Sequence, residues 1–220
     1  MAKISHENNF AYLFAALVTL FFSLSVLTYS ESSWLNNGVE VLIVTVFLVS
    51  VRSLKFEESW NTAVYIMIFF LVSIFITNKL FKNSTFVDIS HLMILLLFFL
   101  GSLRLSYKQI LISEKVDTNM IIGSLVLYFL LALVWATLYM LLLIAFPDGF
   151  NGLEALPWKE NFTKVIYFSF ATLTTLGYGD ISPKNPIAQF FVYSEAIAGV
   201  FYMAIIVSSL VSAGMENKKS

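Results

Sequence analysis

The run Thr174-Thr175-Leu176-Gly177-Tyr178-Gly179-Asp180 holds the residues of this 220-residue chain that are best suited to chemistry, and the chemistry is coordination rather than catalysis. A cation leaving water needs oxygens that replace its hydration shell, and backbone carbonyls supply them when successive ones aim at one axis. Aiming them requires alternating backbone conformations. Glycine reaches positive φ without a Cβ penalty, which accounts for Gly177 and Gly179 flanking one ordinary residue. Thr175 adds a hydroxyl oxygen at the inner mouth. Tyr178, the largest side chain of the run, is expected to point away from the axis.

On its own such a run is a glycine turn, and its neighbours are what change the reading. Phe162 to Leu173 is apolar and helix-compatible, but about 12 residues cannot cross a hydrocarbon core of roughly 30 Å at about 1.5 Å per residue. A helix of that length is expected to be re-entrant, with the polar stretch Gly177 to Pro186 as its return path. Non-helical backbone at membrane depth is tolerated only where it is buried in protein or lines a water-filled cavity, so this segment is expected to line a pore. The C-terminal end of the short helix would turn its unsatisfied carbonyls and partial negative charge toward the membrane centre, where a cation is stabilised. Thr172 and Thr174 can satisfy local backbone groups, and Tyr167 and Phe168 supply bulk behind the run.

The chain as a whole has the composition of a bilayer protein: 59% hydrophobic and 12% charged, where a soluble domain carries about twice that share of charge. Six stretches approach spanning length: Phe10 to Tyr29, Leu35 to Val51, Trp60 to Thr77, Val87 to Leu103, Met120 to Phe146 and Ile187 to Ala213. The second and fourth are marginal, each with an acidic residue near its start (Glu40, Asp88) and an arginine after it (Arg52, Arg104) that can snorkel to the interface. Phe10 to Tyr29 has too long an apolar run and too weakly basic a leader for a signal peptide and is read as a retained span. Placing both termini in the cytoplasm puts eight Lys and Arg inside and five outside, which agrees with the positive-inside bias and sets the re-entrant loop on the extracellular side.

The expected fold is therefore an all-α membrane protein with six transmembrane helices plus a re-entrant pore helix and filter loop. Residues 1–107 form a four-span membrane domain, 108–119 a cytoplasmic connection, 120–213 a pore domain and 214–220 a short cytoplasmic tail. With so few residues outside the first and last spans, neither end is expected to hold a folded ligand-sensing domain. One filter strand per chain supplies a quarter of an ion's oxygen cage, so four copies around one axis, a homotetramer, are expected.

At these residues the sequence resembles the potassium-channel superfamily, specifically the bacterial six-span type. Residues Met120 to Ala213 look like its helix, pore helix, filter and helix unit, and Leu176 stands where Val or Ile is usual. The resemblance implies that the carbonyls of Thr175, Leu176, Gly177 and Tyr178, with the Thr175 hydroxyl, bind dehydrated K+. Thr174, Gly179 and Asp180 would support them, Asp180 matching the acidic residue at the outer end of the filter. Gly199 matches the glycine often proposed as an inner-helix hinge. The implied location is the cell membrane. Two departures stand out. Ala171 occupies a place where some bacterial members carry a pore-helix glutamate, so a carboxyl pair with Asp180 is unavailable. The basic repeat of a voltage sensor is also missing from the first four spans.

Several other residues have two readings. Glu195, about a third of the way down the last span, is too costly to face lipid; it is either a carboxyl hydrogen-bonded behind the filter, where some similar bacterial channels also carry glutamate, or a group solvated near the outer interface. Gly199 is either a hinge or a close-packing site. Val200, Met203, Val207 and Val211 share one helical stripe that either lines the inner pore or packs against protein and lipid. Asp88 and His91 share a face of the fourth span and could titrate as a pair, or His91 is an interfacial anchor. Trp34, Trp60 and Trp158 fall at expected interfaces.

Competing functions are a non-selective cation pore, for which Asp in place of Tyr178 would have spoken, and a non-conducting channel-like subunit. A transporter with four filter-like loops in one chain needs three more than this sequence has. A formal charge of -1 offers no basic face for nucleic acid. Without cysteine, a phosphate loop or a nucleophile and base pattern, the chain is not expected to be an enzyme, and the passive movement of K+ needs no cofactor.

Overall fold

A computed structural model describes residues 9–29, 35–53, 58–80, 85–112, 118–154, 156 and 158–208. These form seven helices: α1 (Asn9–Tyr29), α2 (Leu35–Ser53), α3 (Glu58–Leu80), α4 (Thr85–Ile112), α5 (Thr118–Ala145), α6 (Trp158–Leu173) and α7 (Pro186–Tyr202). Two short strands, β1 (Phe150–Asn151) and β2 (Ser182–Pro183), pair antiparallel. Four helices, α1, α4, α5 and α7, are long and apolar enough to cross a membrane. In α2 and α3 the apolar stretches, Val41–Ser50 and Trp60–Ile74, are shorter. The fourth stretch, marginal by sequence, is a 28-residue helix, because Arg104 and the polar residues after it continue the helix to Ile112. The expected re-entrant helix is 16 residues long and starts four residues earlier than its apolar run, at Trp158.

The core lies where α1, α4, α5 and α6 meet. Leu13, Leu17, Leu20 and Leu24 form one buried stripe of α1 at helical spacing. α1 is tied to α5 and α6 along its whole length. At one end Asn119 Nδ2 donates to Asn9 Oδ1 (2.7 Å) and Phe10 lies over Gly123, where a Cβ would meet the ring at 2.8 Å. In the middle Phe21 makes edge contacts with Phe129 of α5 and Phe170 of α6. At the other end the hydroxyls of Thr28 and Thr163 are 2.9 Å apart. The same core extends between α2, α3 and α4 around Phe98, which stacks on Phe47 and Trp60. Trp60, half-buried, also covers Gly101.

Candidate functional site

The α6 helix ends at Leu173, and its last carbonyls are satisfied by the chain that follows. Thr174 N–H donates to Phe170 O (3.0 Å), and the amides of Leu176 and Gly177 both donate to Ala171 O (2.8 and 3.0 Å). The Thr174 hydroxyl also donates to Phe170 O (2.6 Å). These bonds fasten the start of the run to the helix end, where the partial negative charge lies.

Beyond that point φ alternates in sign. Thr175 (φ 61°), Gly177 (51°) and Gly179 (82°) are left-handed, while Leu176 and Tyr178 between them are not. Alternate left-handed residues are the backbone pattern by which successive carbonyls can be turned toward one side of a strand. Two of the three positions were legible as glycines. Thr175 was not: a β-branched residue at positive φ is rare, and among the described residues it is the single non-glycine found there. Among the described residues no hydrogen bond ends on the carbonyls of residues 174–179, and the whole stretch is exposed. A Cβ built on Gly177 or Gly179 meets nothing within 4 Å, so backbone conformation, not crowding within the chain, accounts for both glycines.

The outer end of the run is held by a collar that sequence reading missed, because two-residue strands carry no periodic signal. β1 and β2 pair Phe150 with Pro183 and Asn151 with Ser182, and Lys184 N–H donates to Gly149 O (2.8 Å). Gly152 (φ 79°) passes so near the run that a Cβ would stand 2.1 Å from Asp180 O. Immediately after, Asn185 caps α7 by accepting from Ala188 N–H (2.7 Å), with Pro186 opening the helix.

The two bulky residues assigned to the back of the run take different places. Phe168 is buried between Tyr139 of α5 and Phe150 of β1. Tyr167 is partly exposed and lies nearly parallel to Tyr178, with ring centroids 6.4 Å apart, and its phenol lies beside the Asp180 carboxyl. Tyr178 is thus turned onto α6, with 69% of its surface open in the single chain.

Glu195 of α7 is fully buried, 0% exposed. Tyr139 donates to its Oε2, and Ser169 Oγ stands 2.5 Å from Oε1 and 2.8 Å from Ala132 O. One carboxyl therefore joins α5, α6 and α7. Tyr139 and Ser169 were not singled out from sequence, since a tyrosine and a serine within apolar helices carry no pattern of their own. Gly199 is buried against the end of α6, where a Cβ would stand 2.1 Å from Leu173 O. The α-helix runs through Gly199 unbroken and changes to a π-helical turn at Met203–Val207. Val200 and Met203 are exposed, at 55% and 53%. The Val207 side chain and Val211 lie outside the described residues, as do Trp34 and the side chain of Glu40. His91, expected near an interface, is buried with its ring centroid 5.5 Å from that of Trp158, itself buried at the start of α6.

Residues 124–216 match the model of a family described as "Ion channel". The chain is 34% identical over 84 residues to two pore potassium channel c of Oryza sativa subsp. japonica, covering 34% of this chain and 18% of that one. It is 36% identical over 63 residues to the voltage-gated potassium channel Kch of Escherichia coli, covering 29% and 14%. Two-pore potassium channel 4 of Arabidopsis thaliana is 32% identical over 88 residues, covering 40% and 30%. The chain thus spans less than a third of the length of each of these relatives. No solved structure matches significantly. The comparisons thus give a C-terminal segment that is similar to ion channels, and to potassium channels among them, in a chain whose described residues include four apolar helices long enough to cross a membrane.

Proposed function

We propose that this chain is one subunit of a homotetrameric potassium channel that conducts K+ passively through a filter formed by Thr175, Leu176, Gly177 and Tyr178. The observation that carries the reading is the alternation of left-handed residues at 175, 177 and 179 with carbonyls unused by the chain itself. Four such strands around one axis would surround a dehydrated cation with oxygen. Thr174, Gly179, Asp180, Tyr167, Phe168 and Glu195 hold the strand from behind and above. Val200, Met203, Val207 and Val211 would line the inner pore, and K+ is the permeant ion with no cofactor. In this reading α2 and α3 also cross, giving six spans with both termini in the cytoplasm of the cell membrane. The four-span unit carries no strong voltage sensor.

The similarity of this chain to proteins named as potassium channels supports K+ over other cations. Uptake of K+ by vesicles containing the purified protein, measured against Na+ under the same gradient, tests the reading. Uptake of K+ well above that of Na+ is expected, and equal uptake would favour a non-selective pore. No uptake of either would favour a non-conducting subunit.

A further inference from the structure

Around Glu195 three close oxygen contacts form an unbranched chain: Tyr139 to Oε2, Oε1 to Ser169 Oγ at 2.5 Å, and Ser169 Oγ to Ala132 O at 2.8 Å. Each needs a proton between its two oxygens. A tyrosine and a serine hydroxyl carry one proton each, and a backbone carbonyl carries none. Two hydroxyl protons cannot fill three contacts. If Glu195 were ionised, one contact would bring two lone-pair-bearing oxygens together with nothing between them. Sharing the serine proton between both of its neighbours would lengthen both contacts, yet one of them is 2.5 Å. The third proton must therefore sit on the carboxyl. Burial points the same way, because an ionised carboxylate whose hydrogen-bond partners are neutral hydroxyls is costly away from water.

We infer that Glu195 is a neutral carboxylic acid that positions the pore helix, accepting from Tyr139 and donating its own proton to Ser169, which donates in turn to Ala132 O. Every donor and acceptor in the chain is then used once, and the α5, α6 and α7 helices are locked without a buried charge. A neutral node sets no electrostatic trap beside the strand that is proposed to bind cations. The arrangement also has a direction: the acid hydrogen faces Ser169 on α6 and the carbonyl oxygen faces Tyr139 on α5. Glutamine reproduces that layout, with its amide N–H toward Ser169 and its carbonyl toward Tyr139. Aspartate is too short to bridge, and leucine breaks both bonds.

Only the functional consequence rests on the channel reading; the protonation does not. Infrared difference spectra of the full chain in lipid at neutral pH, wild type minus Glu195→Gln, are expected to show the carbonyl stretch of a protonated carboxyl lost in the variant. Tyr139→Phe, which keeps the acid but removes a donor to its carbonyl, is expected to move that band to higher frequency and gives a second readout if the glutamine variant does not fold. In vesicle uptake, glutamine is expected to restore what Glu195→Leu loses. A difference spectrum containing carboxylate bands alone overturns the inference, as does a protonated band that Tyr139→Phe leaves in place. Equal impairment by glutamine and leucine also overturns it. Absence of uptake in the wild type counts instead against the channel reading, and the infrared band then decides the protonation alone.

Discussion

Gly199 of α7 lies so close to Leu173, the last residue of α6, that a Cβ on the glycine would stand 2.1 Å from the leucine carbonyl oxygen. The absence of a side chain here lets α7 pass directly against the end of α6. A carbon at 2.1 Å from a backbone oxygen cannot be relieved by a rotamer change, so one of the two helices has to move.

Gly199→Ala therefore separates packing from hinge. In an unobstructed helix interior glycine to alanine stabilises by about 0.5–1 kcal/mol. Against the Leu173 carbonyl we expect the opposite sign, a loss of about 1–3 kcal/mol from overpacking. Thermal unfolding of the detergent-solubilised protein decides between them. A variant at least as stable as the wild type would mean that the contact is not made and that flexibility is the better account of the glycine.

Gly177→Ala tests the filter. Since nothing within the chain crowds this position, the substitution acts through φ 51°, a conformation that costs an L-residue about 1–2 kcal/mol. A penalty of that size at one of the coordinating peptide planes is expected to abolish the preference for K+ over Na+ while leaving the fold intact. Selective uptake at the wild-type level by the variant would show that residues 175–178 are not the filter.

Much of this site was legible as residue types, and its failures have physical causes. Two glycines flanking Tyr178 announce alternating φ, and the short apolar run before them announces a helix that does not cross. Thr175 gives no such announcement, because its left-handed backbone belongs to the C-cap of α6, with its own amide bonded to Thr172 O and that of Leu176 to Ala171 O, a place where glycine and not threonine is the usual signal. The collar of β1 and β2 is two residues long on each side, too short for any period to show. Likewise Trp158 and His91 read as interfacial residues by position, but they face each other in the interior, and only packing reveals that. Boundaries suffered for the same reason: Ser106–Ile112 stays helical past the end of the apolar run, with Ser106 and Ile110 buried.

The link from Tyr167 to both Tyr178 and Asp180 predicts coupled effects. Tyr167→Phe keeps the ring beside Tyr178 and removes the hydroxyl next to Asp180, and Asp180→Asn removes the charge beside that hydroxyl. Each is expected to shorten the lifetime of conduction in single-channel records, and the double variant is expected to be no worse than the more severe single one, as for two partners of one interaction. Fully additive effects would show that the two residues act independently.

A native mass of the detergent-solubilised protein near four times 24.9 kDa is expected, because each chain leaves its strand 174–180 exposed and supplies a single set of carbonyls. A monomeric or dimeric mass would remove the proposed oxygen cage.

The last prediction concerns voltage. Moving one elementary charge through the full membrane field is worth about 2.3 kcal/mol per 100 mV, and steep gating uses roughly three or four such charges per subunit. In α4 the stretch from Ile89 to Leu103 has Ser90, His91 and Ser102 as its polar side chains, and no Lys or Arg falls within it. Arg104 and Lys108 follow one helical turn apart, both exposed, toward the end placed in the cytoplasm, where little of the field falls. The helix is also anchored: Phe98 and Phe99 are buried, Trp60 lies across Gly101, and His91 is wedged against Trp158 at the start of the pore helix. Sliding α4 outward would break those contacts and drag two cations into the bilayer with little electrical work in return. The usable charge is about one per subunit, too little for sharp opening. We therefore expect an open probability that is nearly independent of voltage in planar bilayer recordings, with the first four helices bracing the pore. A conductance-voltage curve as steep as three or more charges per subunit demands would overturn that expectation and require α4 to move despite its packing.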